Sequence, residues 1–303
     1  MSDLIARWEA DARTQGMAQS SIDGYRRSLM RFEKFCDGKG ILKADKLQIR
    51  AYVDFCRHSG LTTKTIGHRL GAFSNFFQWA IFEGLIDSNP VSEVRCRYLR
   101  SYKKQPGEAH THKLISVQEA AHLVDMATDI RDKAILVLLF KTGIRRGELM
   151  SLEVGDIDWR NQSITLKLTV KRTNRIVFFD NETAAYLRRW LDAREYRNRN
   201  GSSALWLSSY GSVIGIEGVS NMIHDLAVRA GLHDPTSPNM EDHFSAHCCR
   251  HWFTTYLLRA GMRREYVQWL RGDAIKEAVD IYFHVDPEDV RRSYLAHVPQ
   301  LGT

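Results

Sequence analysis

Four stretches of the chain put cationic or nucleophilic side chains at spacings that could serve chemistry on a phosphate. In KTGIRRGELMSLEVGDIDW (141–159), Arg145 sits at a glycine-led helix start with Glu148 three residues on. A guanidinium beside N-terminal helix amides makes an anion site. The plainer reading is a surface helix start with a local Arg–Glu pair. In TVKRTNR (169–175), Lys171 stands at a turn among Arg172 and Arg175, either as a solvated basic turn or as a phosphate contact. FSAHCCRHWFTTYLLRAG (244–261) sets His247 and Arg250 three apart, on one helical face. WLRGDAIKEAVDIYFHVDP (269–287) carries Tyr282, with His284 behind it and Arg271-Gly272-Asp273 in front. Taken singly, Tyr282 reads as a half-buried core tyrosine, and the tripeptide as an adhesion ligand if the chain were extracellular.

In the third stretch His243, His247 and His251 are spaced four apart with Cys248 and Cys249 between them, a spacing that could line up zinc ligands on one helix. No Glu follows the first His and no matching Cys/His pair lies elsewhere, so no metal site is expected.

Composition narrows the class. The 303 residues are 44% hydrophobic, enough for one large domain or two ordinary ones. The 43 Lys and Arg outweigh 36 Asp and Glu, a formal charge of +7 that suits a polyanionic partner. Charges run through MSDLIARWEADARTQ without an apolar core, and the longest apolar run, AILVLLF (134–140), is too short to span a bilayer. Five irregularly spaced cysteines read as reduced thiols of a cytoplasmic protein, which weakens the adhesion reading.

The elements that must position these residues can be read from periodicity. Residues 1–100 predict a compact four-helix domain, with Ser21, Asp45 and Thr62 or Thr63 as N-caps and Gly84 and Asn89-Pro90 as terminators. RSYKKQPGEAHTHKL (100–114) lacks periodicity and reads as a basic linker. Beyond it, Ser116 and Glu119 form a capping box and Gly143 closes a buried helix. SITLKLTV and NRIVFFD predict two strands joined by a turn at KRTN. Helices are expected at 181–195, 217–230, 246–260, 264–270, about 275–282 and 287–296. The fold class is therefore mostly α with a small antiparallel sheet.

Taken together and in order, Thr-Gly-Ile-Arg-x-x-Glu-Leu, a hairpin Lys, His-x-x-Arg-His and a late Ile-Tyr-x-His-Val resemble the tyrosine recombinases, the class of phage integrases and of the Xer and Cre proteins. The likeness covers most of residues 115–297. It implies a helical core-binding domain over 1–100, a linker over 101–114 and an α+β catalytic domain over 115–303. It implies Arg145, Lys171, His247 and Arg250 as catalytic groups around Tyr282 as nucleophile. Glu148 then holds the first arginine, and Lys103, Lys104, Arg172 and Arg175 contact DNA.

The resemblance further implies site-specific cutting and rejoining of double-stranded DNA through a 3′-phosphotyrosyl intermediate, by a homotetramer on two duplexes, with no ATP and no metal. Asp273 departs from the pattern, which usually has His or Trp there. Its carboxylate would repel the scissile phosphate unless protonated or turned to an arginine, and it reads instead as the N-cap of AIKEAVD, with His284 or water as substitute donor. The tail helix from Pro287, with Val290, Tyr294, Leu295 and Val298, is expected to dock on a neighbouring protomer rather than on its own domain. Two rivals remain open. One is a type IB topoisomerase-like enzyme, which the compact helical N-terminal domain disfavours. The other is a catalytically silent DNA-binding protein, which the filled motif positions disfavour.

Overall fold

The structure, a computed structural model, describes residues 3–36, 40–99, 113–167, 174, 176–237, 239–272 and 285–303. The chain divides into two compact units, Met1–Glu108 and Ala109–Thr303.

In the first unit, amphipathic periodicity produces α1 (Asp3–Thr14), α2 (Gln19–Phe35), α3 (Lys46–His58), α4 (Thr63–Phe82) and α5 (Val91–Leu99). Their apolar faces meet in an aromatic core, where the Phe32 and Phe73 rings stack at 4.4 Å and Tyr52 meets Phe32 edge-on at 5.2 Å. Asp45 and Thr62 cap α3 and α4 as the sequence predicts, each accepting a backbone N–H three residues on.

Two expectations are corrected. Ser21 is not a cap, because α2 already begins at Gln19 and the Ser21 N–H bonds the Ala18 carbonyl within the first turn. Asn89 does not end α4, which stops at Phe82 before Gly84 turns with φ +68°. Asn89 instead opens α5, accepting the Val91 N–H and donating to the Ser74 carbonyl, so this unit has a fifth helix beyond the expected four.

The second unit is built around α7 (Ile130–Thr142), whose residues Ala134–Phe140 are wholly shielded from solvent. A helix apolar on all sides must lie in the core. It packs against α9 (Asn181–Arg197) and α11 (Ala246–Arg259), and α6 (Val117–Asp125) covers it after the capping box of Ser116 and Glu119. Further helices are α8 (Arg146–Met150), α10 (Ile216–Arg229), α12 (Arg264–Arg271) and α13 (Pro287–His297). A three-stranded antiparallel sheet runs β1 (Ile157–Asp158), β2 (Ser163–Thr165), β3 (Ile176–Phe178), with Ile164 opposite Val177. β1 was not expected, and β2 and β3 are shorter than the runs that predict them.

Gly143 ends α7 in the left-handed region at φ +59°, and a Cβ there would lie 2.4 Å from the Phe253 ring of α11. Gly143→Ala therefore combines backbone strain with overpacking, and should cost about 2–4 kcal/mol of stability in urea unfolding. Wild-type stability in that variant would contradict the close approach of α7 and α11.

In this single chain α13 folds back on its own domain. Val290, Tyr294 and Val298 are buried with Phe178, Phe253, Leu257, Val267 and Leu270, and only Leu295 of the four tail residues named above remains partly exposed. The apolar stripe thus already has a partner within its own chain.

Candidate active site

The first motif is a turn that leaves a buried helix. After Gly143 the chain extends through Ile144 to Arg145, which is the N-cap of the five-residue α8. The Arg145 backbone N–H donates to Glu148 Oε2 at 2.7 Å, and its guanidinium Nη1 donates to Oε1 of the same carboxylate at 3.0 Å. Glu148 is 4% exposed, while the Arg145 side chain keeps about a third of its surface, 32%. One carboxylate therefore aims the arginine, which reaches outward from a rigid base.

The second motif reaches the same turn from a distant part of the chain. Arg250 is on α11 and is 5% exposed. Its Nη1 donates to the Gly143 carbonyl at 2.7 Å and its Nη2 to the Arg271 carbonyl at 2.8 Å. A planar guanidinium has five N–H donors in a fixed fork, so it can serve two carbonyls and retain the geometry for a bidentate contact that a lysine ammonium lacks. His247 lies one turn before Arg250 on α11 and is exposed. The structure thus brings Arg145, Glu148 and Arg250 to one turn, with His247 on the adjoining helix face.

The Arg271-Gly272 pair has a structural part. Arg271 ends α12, Gly272 closes it at φ +59°, and the Arg271 carbonyl holds Arg250. Lys103, Lys104, Lys171, Arg172, Arg175, Asp273, Tyr282 and His284 lie outside the described residues, as do the KRTN turn centre and the helix expected near 275–282.

His243 precedes α11, and its Nε2 pairs with the Ser237 carbonyl at 2.8 Å, so the four-residue spacing does not run along one helix. Among the described residues no group of three or more His, Cys, Asp or Glu could hold a metal ion. Burial pushes the Cys249 thiol well above its ordinary range, the wrong direction for a thiolate ligand.

Sequence reasoning missed a buried cation beside the site. Lys141, on the last turn of α7, is fully buried, and its Nζ lies 2.7 Å from Asp180 Oδ2 and 2.5 Å from Glu182 Oε2. Burial alone would raise both carboxyls. For Asp180 the Lys141 charge leads the opposing causes, and for Glu182 the Lys141 hydrogen bond does, so both stay below the ordinary carboxylate range. The available signal was a lone lysine directly after AILVLLF.

The first unit has a polar groove of about 440 Å3 along α4, lined by Tyr25, His68, Ser74, Asn75, Gln78 and Arg95 among others. The Trp8 indole N–H fixes the Asn75 amide by donating to its oxygen at 2.9 Å.

Two arginines from distant segments, gathered on one turn of a helix-rich domain beside an exposed histidine, make an arrangement suited to binding a phosphodiester. Residues 113–289 match the model of the phage integrase family, and residues 5–84 match that of the phage integrase N-terminal SAM-like domain. The chain belongs to the phage integrase family.

It is similar to a protein named tyrosine recombinase XerD from Ralstonia nicotianae, 28% identical over 295 residues, covering 94% of this chain and 90% of the relative. A Shigella flexneri protein named tyrosine recombinase XerC is 26% identical and covers 91% of this chain and 89% of its own length. In fold, the chain resembles a lambda integrase tetramer bound to a Holliday junction, with TM-score 0.70 and 15% identity over 92% of this chain and 76% of that one. It also resembles the Tn1549 transposon integrase in complex with transposon right end DNA, with TM-score 0.67 and 20% identity over 96% and 97% of the two chains.

Proposed function

We infer that this chain is a tyrosine-type site-specific DNA recombinase that breaks and rejoins strands through a 3′-phosphotyrosyl intermediate. Arg145 and Arg250 fork the non-bridging oxygens of the scissile phosphate. The Tyr282 oxygen attacks phosphorus, the bond to the 5′ oxygen breaks, and Lys171 protonates that oxygen as it leaves. His247 hydrogen-bonds the phosphate or takes the phenol proton. In the second step the 5′ hydroxyl of another strand attacks the phosphotyrosine and releases Tyr282, so the bond energy is stored without ATP. Glu148 keeps Arg145 aimed. Asp273 acts as a helix cap rather than as a donor to the phosphate.

The observation that carries this reading is the Arg250–Gly143 hydrogen bond, which ties the second motif to the first across 107 residues. Fixed cations placed where charge develops are worth about 3–4 kcal/mol per donor, typically the largest catalytic contribution.

The substrate is double-stranded DNA carrying a specific site, held through Lys103, Lys104, Arg172 and Arg175 and through the polar α4 groove of the first unit. The assembly is a homotetramer on two duplexes. For the tail to bridge protomers, α13 must first leave the seat it fills on its own domain. No helix among the described residues is long and apolar enough to cross a membrane. As a recombinase the protein acts on DNA, which places its work in the cytoplasm.

A plasmid carrying two direct copies of the DNA that flanks the gene should yield an excised circle with this protein. Relaxation of a plasmid lacking those copies, without excision, would instead indicate the topoisomerase-like activity. DNA binding with neither product would indicate a silent binding protein.

A further inference from the structure

The first unit holds a side chain that strand cleavage does not use and whose orientation is set by its partner. Asn75 lies on α4 in the polar groove, partly buried. The buried Trp8 indole of α1 donates its N–H to Asn75 Oδ1 at 2.9 Å. An indole nitrogen can only donate, so the amide oxygen must face Trp8 and the amide NH2 must face away from it. Among the described residues no acceptor takes the Nδ2 protons, so both are left for what fills the groove.

The surroundings of Asn75 have the same donor character. Ser74 Oγ accepts from Asn89 Nδ2 at 3.1 Å, which leaves the hydroxyl proton to give. His68 and Arg95 add basic groups, and no Asp or Glu among the described residues lines the groove. One turn before Asn75, Gly71 brings bare backbone to the groove, and even a Cβ there would have no neighbour within 4 Å. A ligand edge can therefore approach α4 closely.

A wall of donors selects a partner that presents acceptors, which in DNA are phosphates and base edges. A phosphate is served by charged side chains and carries no sequence information, whereas a neutral amide locked in one orientation suits a base edge. In the major groove guanine shows two acceptors, N7 and O6, and thymine shows one. Adenine sets N7 beside an amino donor, and cytosine shows an amino donor. Asparagine ordinarily reads adenine by accepting from N6 while donating to N7. Asn75 cannot do so while Trp8 holds its oxygen.

We propose that Asn75, held by Trp8 as a donor only, is a specificity-determining residue that reads a guanine in the recombination site and rejects adenine and cytosine there. The proposal rests on the recombinase reading above.

The test uses the full chain and its Asn75→Ala, Asn75→Asp and Trp8→Phe variants, each checked for folding by circular dichroism. Each protein selects from a pool of random-sequence duplexes, and the bound DNA is sequenced. Dissociation constants are then measured for the selected duplex and for copies changed at single base pairs. Asn75→Asp keeps the shape and the bond from Trp8 but turns the outward donor into an acceptor. Trp8→Phe keeps an apolar ring in the core and frees the amide to turn over. If Trp8→Phe does not fold, the two Asn75 variants carry the test, since they replace a side chain that is only partly buried.

The expected wild-type result is a guanine bound about 10- to 100-fold more tightly than adenine at one position of the selected site. Asn75→Ala loses that preference and keeps the rest of the sequence, Asn75→Asp moves it to cytosine, and Trp8→Phe admits adenine. The same sequence chosen by Asn75→Ala would overturn the proposal, and if binding were also weaker the amide would belong to a phosphate. Adenine chosen by the wild type at the position that depends on Asn75, or guanine still exclusive in a folded Trp8→Phe, would overturn the donor-only reading. If the wild type selects no sequence at all, the site-specific reading fails and this proposal with it. A selected sequence that ignores Asn75 sinks the proposal alone.

Discussion

Tyr282→Phe will bind a cognate nicked duplex as the wild type does and will form no covalent complex with it. The substitution removes one oxygen and keeps the ring, so packing and DNA contacts are preserved while the only proposed nucleophile is lost. An unperturbed phenol ionises near pH 10, so at neutral pH its reactivity depends on the cations and the base placed around it. Removal of a nucleophile from such a unit typically costs several orders of magnitude in rate. Single-turnover attachment on a duplex nicked next to the scissile bond measures this directly. Loss of binding and attachment together would mean that Tyr282 has a structural part as well.

Arg250 carries the second large expected effect. Arg250→Lys keeps the charge but loses the planar fork, and one ammonium with three donors cannot hold the Gly143 and Arg271 carbonyls and also grip a phosphate bidentately. Attachment should slow by about 10²- to 10³-fold, the usual consequence of removing one oxyanion donor. Arg250→Ala adds a stability cost of about 1–3 kcal/mol for each buried carbonyl that loses its donor. Urea unfolding should therefore separate the two variants, with the alanine variant the less stable. A lysine variant cleaving at the wild-type rate would show that Arg250 acts as a brace for the turn and not on the phosphate.

Much of this was legible in the sequence because it depends on local chemistry. The Ser116–Glu119 capping box, the Asp45 and Thr62 caps and the Gly143 stop each rest on a few neighbouring residues, and each appears as read. The buried character of α7 followed from an apolar run with no polar face. The pairing of Arg145 with Glu148 was also local, a contact between residues three apart.

What escaped was non-local or ambiguous. Asn89 looked like a stop because it precedes proline, but its contact with Ser74, fifteen residues away, makes it a start. Ser21 is a good capping residue in a place where the chain had already begun its turn. The bond from Arg250 to Gly143 spans 107 residues, and that from Lys141 to Pro299 spans 158. No spacing rule reaches so far. The tail helix was read correctly as amphipathic, yet amphipathicity states only that an apolar face needs a partner. Here its own α11 and α12 provide one.

A covalent bond between Tyr282 and a DNA 3′ phosphate is what separates a recombinase from a protein that only binds DNA. Incubating the protein with a duplex nicked beside the scissile phosphate, digesting the trapped product and sequencing the DNA-linked peptide by mass spectrometry tests that bond most directly. The predicted result is one adduct, a 3′-phosphate ester on Tyr282 within the peptide that follows Lys276. A DNA adduct on any other residue, or none on DNA that the protein demonstrably recombines, would contradict it.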